Sequence, residues 1–199
     1  MELREIVRRR RMCRSFSTEP VPPELLGRVL DDARRAPSAG NTQACEFLVL
    51  EGDQTAAYWD ITLPSERRGS FAWPGLLRAP VLVLPVTGPD PYVARYREPD
   101  KAHTPLGGGP DRWPVPYWDV DAGFTVMQML LTAVDVGLGA CFLGVFDDEA
   151  AVCGALGIPS GRRPVGVVAR GWPDGGDRPS RSTSRARRRL PEVVHRGRW

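Results

Sequence analysis

Hydrophobic positions fall at helical spacing in some stretches and in short unbroken runs in others. Residues 2–11 put Leu3, Ile6 and Val7 on one side, which predicts a first helix. Pro22 and Pro23 open a second helix, since proline suits a first turn. Leu25, Leu26, Val29, Leu30 and Ala33 keep the helical period until Pro37 ends it. Ala36 to Gln43 is a loop of small and polar residues, and Cys45 to Leu50 follows as a short apolar strand. Residues 53–62 read as helix, and Ala79 to Pro85 as a buried strand bounded by prolines. The stretch 118–136 is apolar nearly all round, so it predicts a central helix that Gly137 and Gly139 end. Ala140 to Phe146 is a strand running into a loop, and Asp147 or Asp148 can cap a helix over 149–156. Pro164 to Arg170 is the last strand, with Val165, Val167 and Val168 as its core positions.

Two segments lack any period. Residues 88–116 hold Gly107-Gly108-Gly109, several prolines and the aromatics Tyr92, Tyr96 and Trp113. An irregular segment of that length between two core elements suits a lid better than a linker. Residues 174–186 are Gly, Ser, Pro, Asp and Arg, an exposed arm, while Leu190, Val193 and Val194 let the end of the chain dock. The expectation is one domain over 1–199, with 88–116 as a substrate lid and 174–199 as a C-terminal arm.

Composition narrows the class. With 42% apolar and 26% charged residues the chain can build a core, which excludes bulk disorder, and 21 glycines and 20 prolines predict many turns. Four scattered cysteines without a C-x-x-C pair, and only two histidines, offer no zinc cage; reduced thiols and a cytoplasmic location are expected. Met1-Glu2-Leu3-Arg4 has no apolar signal character, and Asp121, Gln128 and Asp135 interrupt the most apolar run, so no membrane span is expected. The net charge is +3, but residues 1–14 carry +4, residues 178–199 carry +7, and the body between them −8. Such basic ends can be solvated termini, a nucleic-acid-binding arm, or two groups converging on one phosphate.

Standard side-chain catalysis finds no support. There is no G-x-S-x-G elbow, no H-E-x-x-H and no G-x-G-x-x-G after a strand. The glycine triplet has no following Lys-Ser or Lys-Thr, so it is not a phosphate loop. Arginine clusters, small-residue loops and aromatics remain, and these suit a bound anionic, planar cofactor.

Four stretches together resemble the FMN-dependent nitroreductase family: Arg9 to Phe16; Pro37-Ser38-Ala39-Gly40-Asn41-Thr42-Gln43 closing a helix before a strand; the long helix followed by Gly137-Leu138-Gly139-Ala140-Cys141-Phe142-Leu143-Gly144; and Arg187-Arg188-Arg189-Leu190-Pro191. Pro159 to Gly171 resembles the family's last core strand, and the match leaves out only about 52–75 and 88–116. The resemblance implies an α+β fold with a central mixed or antiparallel sheet flanked by helices. It also implies an intertwined homodimer with C-terminal arm exchange and one FMN at each end of the interface.

The resemblance further assigns cofactor roles. Arg10 contacts phosphate or ribityl, Arg11 and Met12 lie along the flavin edge, and Arg14 lies near flavin N1 and O2. Pro37, Ser38, Ala39 and Asn41 reach FMN from the other subunit. Phe142, Leu143 and Gly144 back one face of the ring, and Arg187 and Arg189 bind the distal phosphate. Met12 also reads as plain core, and Ser38 as a simple turn residue. No amide in Ser70 to Pro74 matches the asparagine that several relatives place at the pyrimidine edge. In the 88–116 segment Tyr92, Arg95, Tyr96, Lys101 and Trp113 can pin an aromatic acceptor, or equally close a hydrophobic lid. No catalytic acid or base and no metal is expected. The implied activity is ping-pong reduction of nitroaromatic, quinone or similar electron-poor acceptors by NAD(P)H. The family also holds an iodotyrosine dehalogenase, a flavin-fragmenting enzyme that makes dimethylbenzimidazole, and azoline dehydrogenases. A dedicated biosynthetic or reductive dehalogenating flavoenzyme is therefore the alternative, and a basic-armed nucleic-acid-binding protein the alternative from another class.

Overall fold

The computed structural model describes all residues except 146, 147 and 179, and the side chain of residue 181. The chain begins with α1 (Leu3–Arg9), which ends before Arg10 because Arg10 itself turns extended, at φ −55° and ψ 121°. After α2 (Pro23–Ala33) and the 36–43 loop come β1 (Glu46–Glu51), α3 (Thr55–Thr62), α4 (Ser65–Arg68) and β2 (Val81–Thr87). The segment expected to be irregular instead forms α5 (Asp90–Arg95) and two 3-10 turns, Pro105–Gly108 and Pro110–Arg112. Its proline at the second position and aspartate at the first give α5 a helix start that a search for apolar period passes over. The long helix α6 (Tyr117–Asp135) leads to β3 (Gly139–Leu143), α7 (Glu149–Ala155), β4 (Arg163–Pro164) and β5 (Val167–Gly171).

The differences from the expected boundaries are local. α2 stops at Ala33, well before Pro37. The last strand is two pieces because Gly166, at φ 153°, breaks the run between Pro164 and Val167. Asp148 stands at the N-cap of α7, but its side chain makes no capping bond. The alternative cap Asp147, and Phe146 at the expected strand end, lie outside the described residues.

The sheet runs β1-β2-β5-β3, with β4 added to the end of β2. Every pairing among the described residues is antiparallel, so of the two expected arrangements the sheet is the antiparallel one, not the mixed one. β2 is buried on both faces, which is why its sequence is continuously apolar. Leu82, Leu84, Cys141, Val167 and Ala169 face α3, Tyr58 and Phe16. Val81, Val83, Ala140 and Val168 face α2 and α6, where Val29, Ala33, Met129 and Ala133 complete the second layer.

Three features bear on the site. α6 is buried only on the side toward the sheet; Tyr117, Phe124 and Met127 stay exposed, as do Leu3 and Val7 of α1 packed beside it. The N-terminal amine and Arg28 both pair with Asp135, at 2.7 and 2.6 Å, which ties α1, α2 and α6 together. Arg170 on β5 is fully buried; Nη2 donates to the Met129 carbonyl at 3.4 Å, while Nε and Nη1 have no acceptor among the described residues. Burial alone pulls its pKa down to about 9. No helix among the described residues is long and apolar enough to cross a membrane.

Candidate functional site

The first group of candidate residues is built on main-chain pairing. Leaving α1, the chain runs beside β3: Cys13 N donates to the Ala140 carbonyl at 2.9 Å, and Phe142 N approaches Met12 Sδ at 3.5 Å. Phe16 N donates to Gly75 O at 3.2 Å, and Ser17 N to Trp172 O at 2.9 Å. The approach is close enough to demand glycine. A Cβ on Gly75 would lie 2.2 Å from Ser15 Oγ and 2.8 Å from Ser15 Cα, and one on Gly139 would lie 2.8 Å from Cys13 Sγ.

This pairing brings Met12 and Phe142 to one groove, of about 470 Å³, shared with Asp119, Gly123, Val126, Met127 and Leu130 of α6 and with Arg163 and Val165. Oδ1 of Asp119 is buried there without a donor among the described residues. Arg14 is fixed at both ends of the residue. Its N–H donates to Asp177 Oδ1 at 3.1 Å and Nη1 to the Met12 carbonyl at 3.2 Å, while the guanidinium lies 5.3 Å from the centre of the Trp73 ring. Arg10 is half-buried and Arg11 exposed. Leu143 and Gly144 line a different cavity, of about 280 Å³, with Tyr58, Trp59 and Phe71. Burial raises the Cys13 thiol above its usual value and that of Cys141 to about 11, so both stay protonated near neutral pH and pack as small apolar groups.

The second group, the 36–43 loop, lies elsewhere. Pro37 and Ser38 border a cavity of about 280 Å³ with Cys45, Tyr92, Asp121 and Thr125. Ala39 N donates to Asp121 Oδ2 at 2.8 Å, and Tyr92 Oη donates to the same oxygen at 2.8 Å. Pro37 and Asn41 are exposed. Asp119 and Gly123 point to one face of α6, and Asp121 with Thr125 to the opposite face, as a rotation of about 100° per residue requires. The two groups therefore flank α6 on opposite sides within one chain.

The remaining candidates are placed apart from both. Arg187 and Arg189 sit on the arm where residues 182–199 are all exposed, and Arg189 Nε pairs with Glu192 at 2.9 Å. The expected docking of 187–199 is absent from the single chain, and its His195 stacks only on Trp199 at 4.2 Å. Tyr92 and Trp113 are buried with Ala44 in a small core of their own; Trp113 Nε1 donates to Leu106 O at 3.0 Å. Tyr96 meets Trp113 edge-on at 4.7 Å, and Lys101 Nζ lies 5.8 Å from the Tyr96 ring centre. The sequence assigns no site role to Asp121 or Asp177, and it offers Arg95 as an acceptor contact, whereas Arg95 Nε is bound to the Gly40 carbonyl. A lone acid inside an apolar helix was the one available signal, and it served only to argue against a membrane span.

The chemistry of this set fits a phosphorylated planar aromatic group. Arg10, Arg11 and Arg14 offer guanidinium groups to anionic edges; Met12, Val126 and Phe142 offer an apolar face; the 37–43 loop offers polar edges.

A family model described as the nitroreductase family matches residues 7–172. A protein of Archaeoglobus fulgidus named NADH dehydrogenase/NAD(P)H nitroreductase is 25% identical over 202 residues, spanning 100% of this chain and 99% of its own length. Among solved structures, the nitroreductase family protein of Streptococcus pneumoniae matches with a TM-score of 0.72 at 22% identity, over 98% of this chain and 99% of its own. A nitroreductase from Desulfovibrio desulfuricans solved in complex with FMN matches with a TM-score of 0.69 at 24% identity, over 98% and 95%.

Proposed function

This chain belongs to the nitroreductase family, and from that premise we propose that it is a homodimeric FMN oxidoreductase. It uses NAD(P)H to reduce an electron-poor aromatic acceptor, such as a nitroaromatic or a quinone, in a ping-pong sequence. The observation that carries the reading is the placement of two cofactor-suited groups on opposite sides of α6, beside an exposed apolar stripe of Tyr117, Phe124 and Met127. One chain cannot fold both groups around one planar ligand. A second copy packed on the α6 stripe can bring its own 37–43 loop to the first copy's Met12–Phe142 groove. The exposed arm, with Arg187 and Arg189, then has a second subunit to cross.

FMN, when bound, would supply the hydride chemistry. The chain's own residues bind and orient. Arg10, with Arg187 and Arg189 of the arm, would hold the phosphate by charge-assisted bonds, and Arg11 would lie along the flavin edge. Arg14, braced on Trp73 and the Met12 carbonyl, sets a fixed positive charge at the pyrimidine edge, where reduction builds negative charge. Met12 and Phe142 would cover one ring face and exclude water from it; Leu143 and Gly144, expected at the same face, line a separate cavity in the single chain. Pro37, Ser38, Ala39 and Asn41 of the second copy close the edge.

The test is direct. Purified protein is expected to be yellow, dimeric by light scattering, and active in NAD(P)H oxidation with nitro, quinone or halogenated phenol acceptors. A colourless protein that does not take up added FMN would overturn the reading. Arg14→Ala should weaken FMN binding about tenfold to a hundredfold, the worth of one charge-assisted contact, and lower the flavin potential. Unchanged affinity and potential in that variant would remove Arg14 from the site.

A further inference from the structure

The 37–43 loop holds an unusual backbone. Gly40, Asn41 and Gln43 all lie in the left-handed region, at φ 63°, 55° and 54°, and Asn41 and Gln43 are the two non-glycine residues with positive φ among those described. L residues enter that region seldom, and a run of them persists only where the surroundings impose it. Part of the imposition is internal. Asn41 N donates to Ser38 O at 2.8 Å, Gln43 N to Ser38 Oγ at 2.9 Å, and Gln43 Nε2 to Asn41 Oδ1 at 3.1 Å.

The rest comes from α5 and α6. Tyr92, Arg95 and Tyr96 stand at i, i+3 and i+4, one face of α5, and that face meets the loop. Arg95 Nε donates to the Gly40 carbonyl at 2.8 Å. The far side of the same guanidinium is clamped by both oxygens of Asp100, at 2.7 Å each, and by Glu98 at 3.1 Å. The Tyr96 ring lies so close to Gly40 that a Cβ there would sit 2.8 Å from Cε2. Tyr92 Oη and Ala39 N share Asp121 Oδ2, at 2.8 Å each. Asp121 is 4% exposed, and these two donors account for its place. Trp113 braces the rings of Tyr92 and Tyr96 from behind, at 5.8 and 4.7 Å.

We infer that α5 and the first turns of α6 form a buttress for the 37–43 loop, and that Arg95 and Asp121 are positioning residues for the cofactor that this loop contacts. The inference rests on the FMN reading above. It gives the 88–116 segment a role other than that of a lid over the acceptor: it sets the geometry of the loop and carries Tyr92 and Trp113 as packed supports.

The experiment compares wild type with Arg95→Ala, Asp121→Ala and Asp121→Asn, in full-length protein. Three quantities are read: amide hydrogen exchange of residues 38–43 without flavin, the melting temperature without flavin, and the FMN Kd from flavin fluorescence. Arg95→Ala should speed exchange across the loop and raise Kd about tenfold, the equivalent of one lost hydrogen bond to a charged group, with the melting temperature almost unmoved. Asp121→Ala should do the same more strongly. Asp121→Asn keeps an oxygen that accepts from Ala39 N and Tyr92 Oη, so it should restore most of the FMN affinity. Loop exchange and Kd both equal to wild type in Arg95→Ala would overturn the inference. So would a Kd that changes only in step with melting across the three variants. If wild type takes up no FMN while Arg95→Ala still loosens the loop, the buttress stands and the FMN reading falls.

Discussion

The two halves of the candidate site are held by different kinds of force. The half made by residues 12–16 and β3 is fastened by main-chain hydrogen bonds and by glycines that let two backbones touch. The half made by residues 37–43 is fastened by side chains reaching from α5 and α6. Main-chain pairing tolerates most residue types but punishes a new Cβ at the point of contact. Side-chain support fails one residue at a time, and each failure is small. The first half should therefore break seldom and abruptly, and the second often and by degrees.

The largest expected effect tests the abrupt case. Gly75→Ala puts a Cβ against the Ser15 backbone, which has no room to withdraw, so it should cost about 2–3 kcal/mol in urea unfolding and remove FMN binding with it. A stable, flavin-binding Gly75→Ala protein would show that the 12–16 segment is held loosely. Next in size, and opposite in sign, is Arg170→Met. It removes an uncompensated charge from β5, the strand on which β3 is built, and should raise stability by about 2 kcal/mol. The pH dependence sharpens this. The folded pKa is depressed to about 9, well below that of a free guanidinium, so below pH 9 the folded protein carries the full cost of the buried charge. As pH rises above 9 the folded state releases a proton that the unfolded state keeps, and wild type gains on the variant. Cys45 and Cys141, raised to about 11 from 9.0, act the other way, because the unfolded thiols ionise first. Their effect is common to both proteins and cancels in the difference. A variant less stable than wild type at pH 7 would mean that Arg170 has a partner in the native assembly.

The smallest effect tests the graded case. Gly40→Ala keeps a left-handed φ and meets the end of a Tyr96 ring, which can move aside. It should cost about 1 kcal/mol and weaken FMN without abolishing it. A loss as large as that of Gly75→Ala would erase the distinction between the two halves.

Much of this was legible in the chain. The spacing of Leu25, Leu26, Val29 and Leu30, and the continuous run of Val81 to Leu84, specify a helix and a doubly buried strand, and both are found. The stretch before β3 and the one after α1 lie on the elements expected of them, whereas the 37–43 loop begins beyond the end of α2 and Arg187 to Pro191 stay exposed. Local patterns could not show α5, whose six residues are too few for a period to emerge from the surrounding prolines and glycines. Nor could they show that Tyr92 and Trp113 face inward, since an aromatic that packs and one that binds look alike in a sequence.

What the sequence determined by itself is the order of most elements and the residue types available to a planar anionic cofactor. Those follow from periodicity and composition, which are properties of near neighbours. Only the tertiary structure decided that the Met12–Phe142 groove and the 37–43 loop lie across α6 from one another, and that Asp121 and Arg95 hold the loop. Ala39 and Asp121 are 82 positions apart, and Gly40 and Arg95 are 55 apart. A hydrogen bond over such a span leaves no periodic trace, because its geometry exists only once the sheet has fixed where each helix must pack.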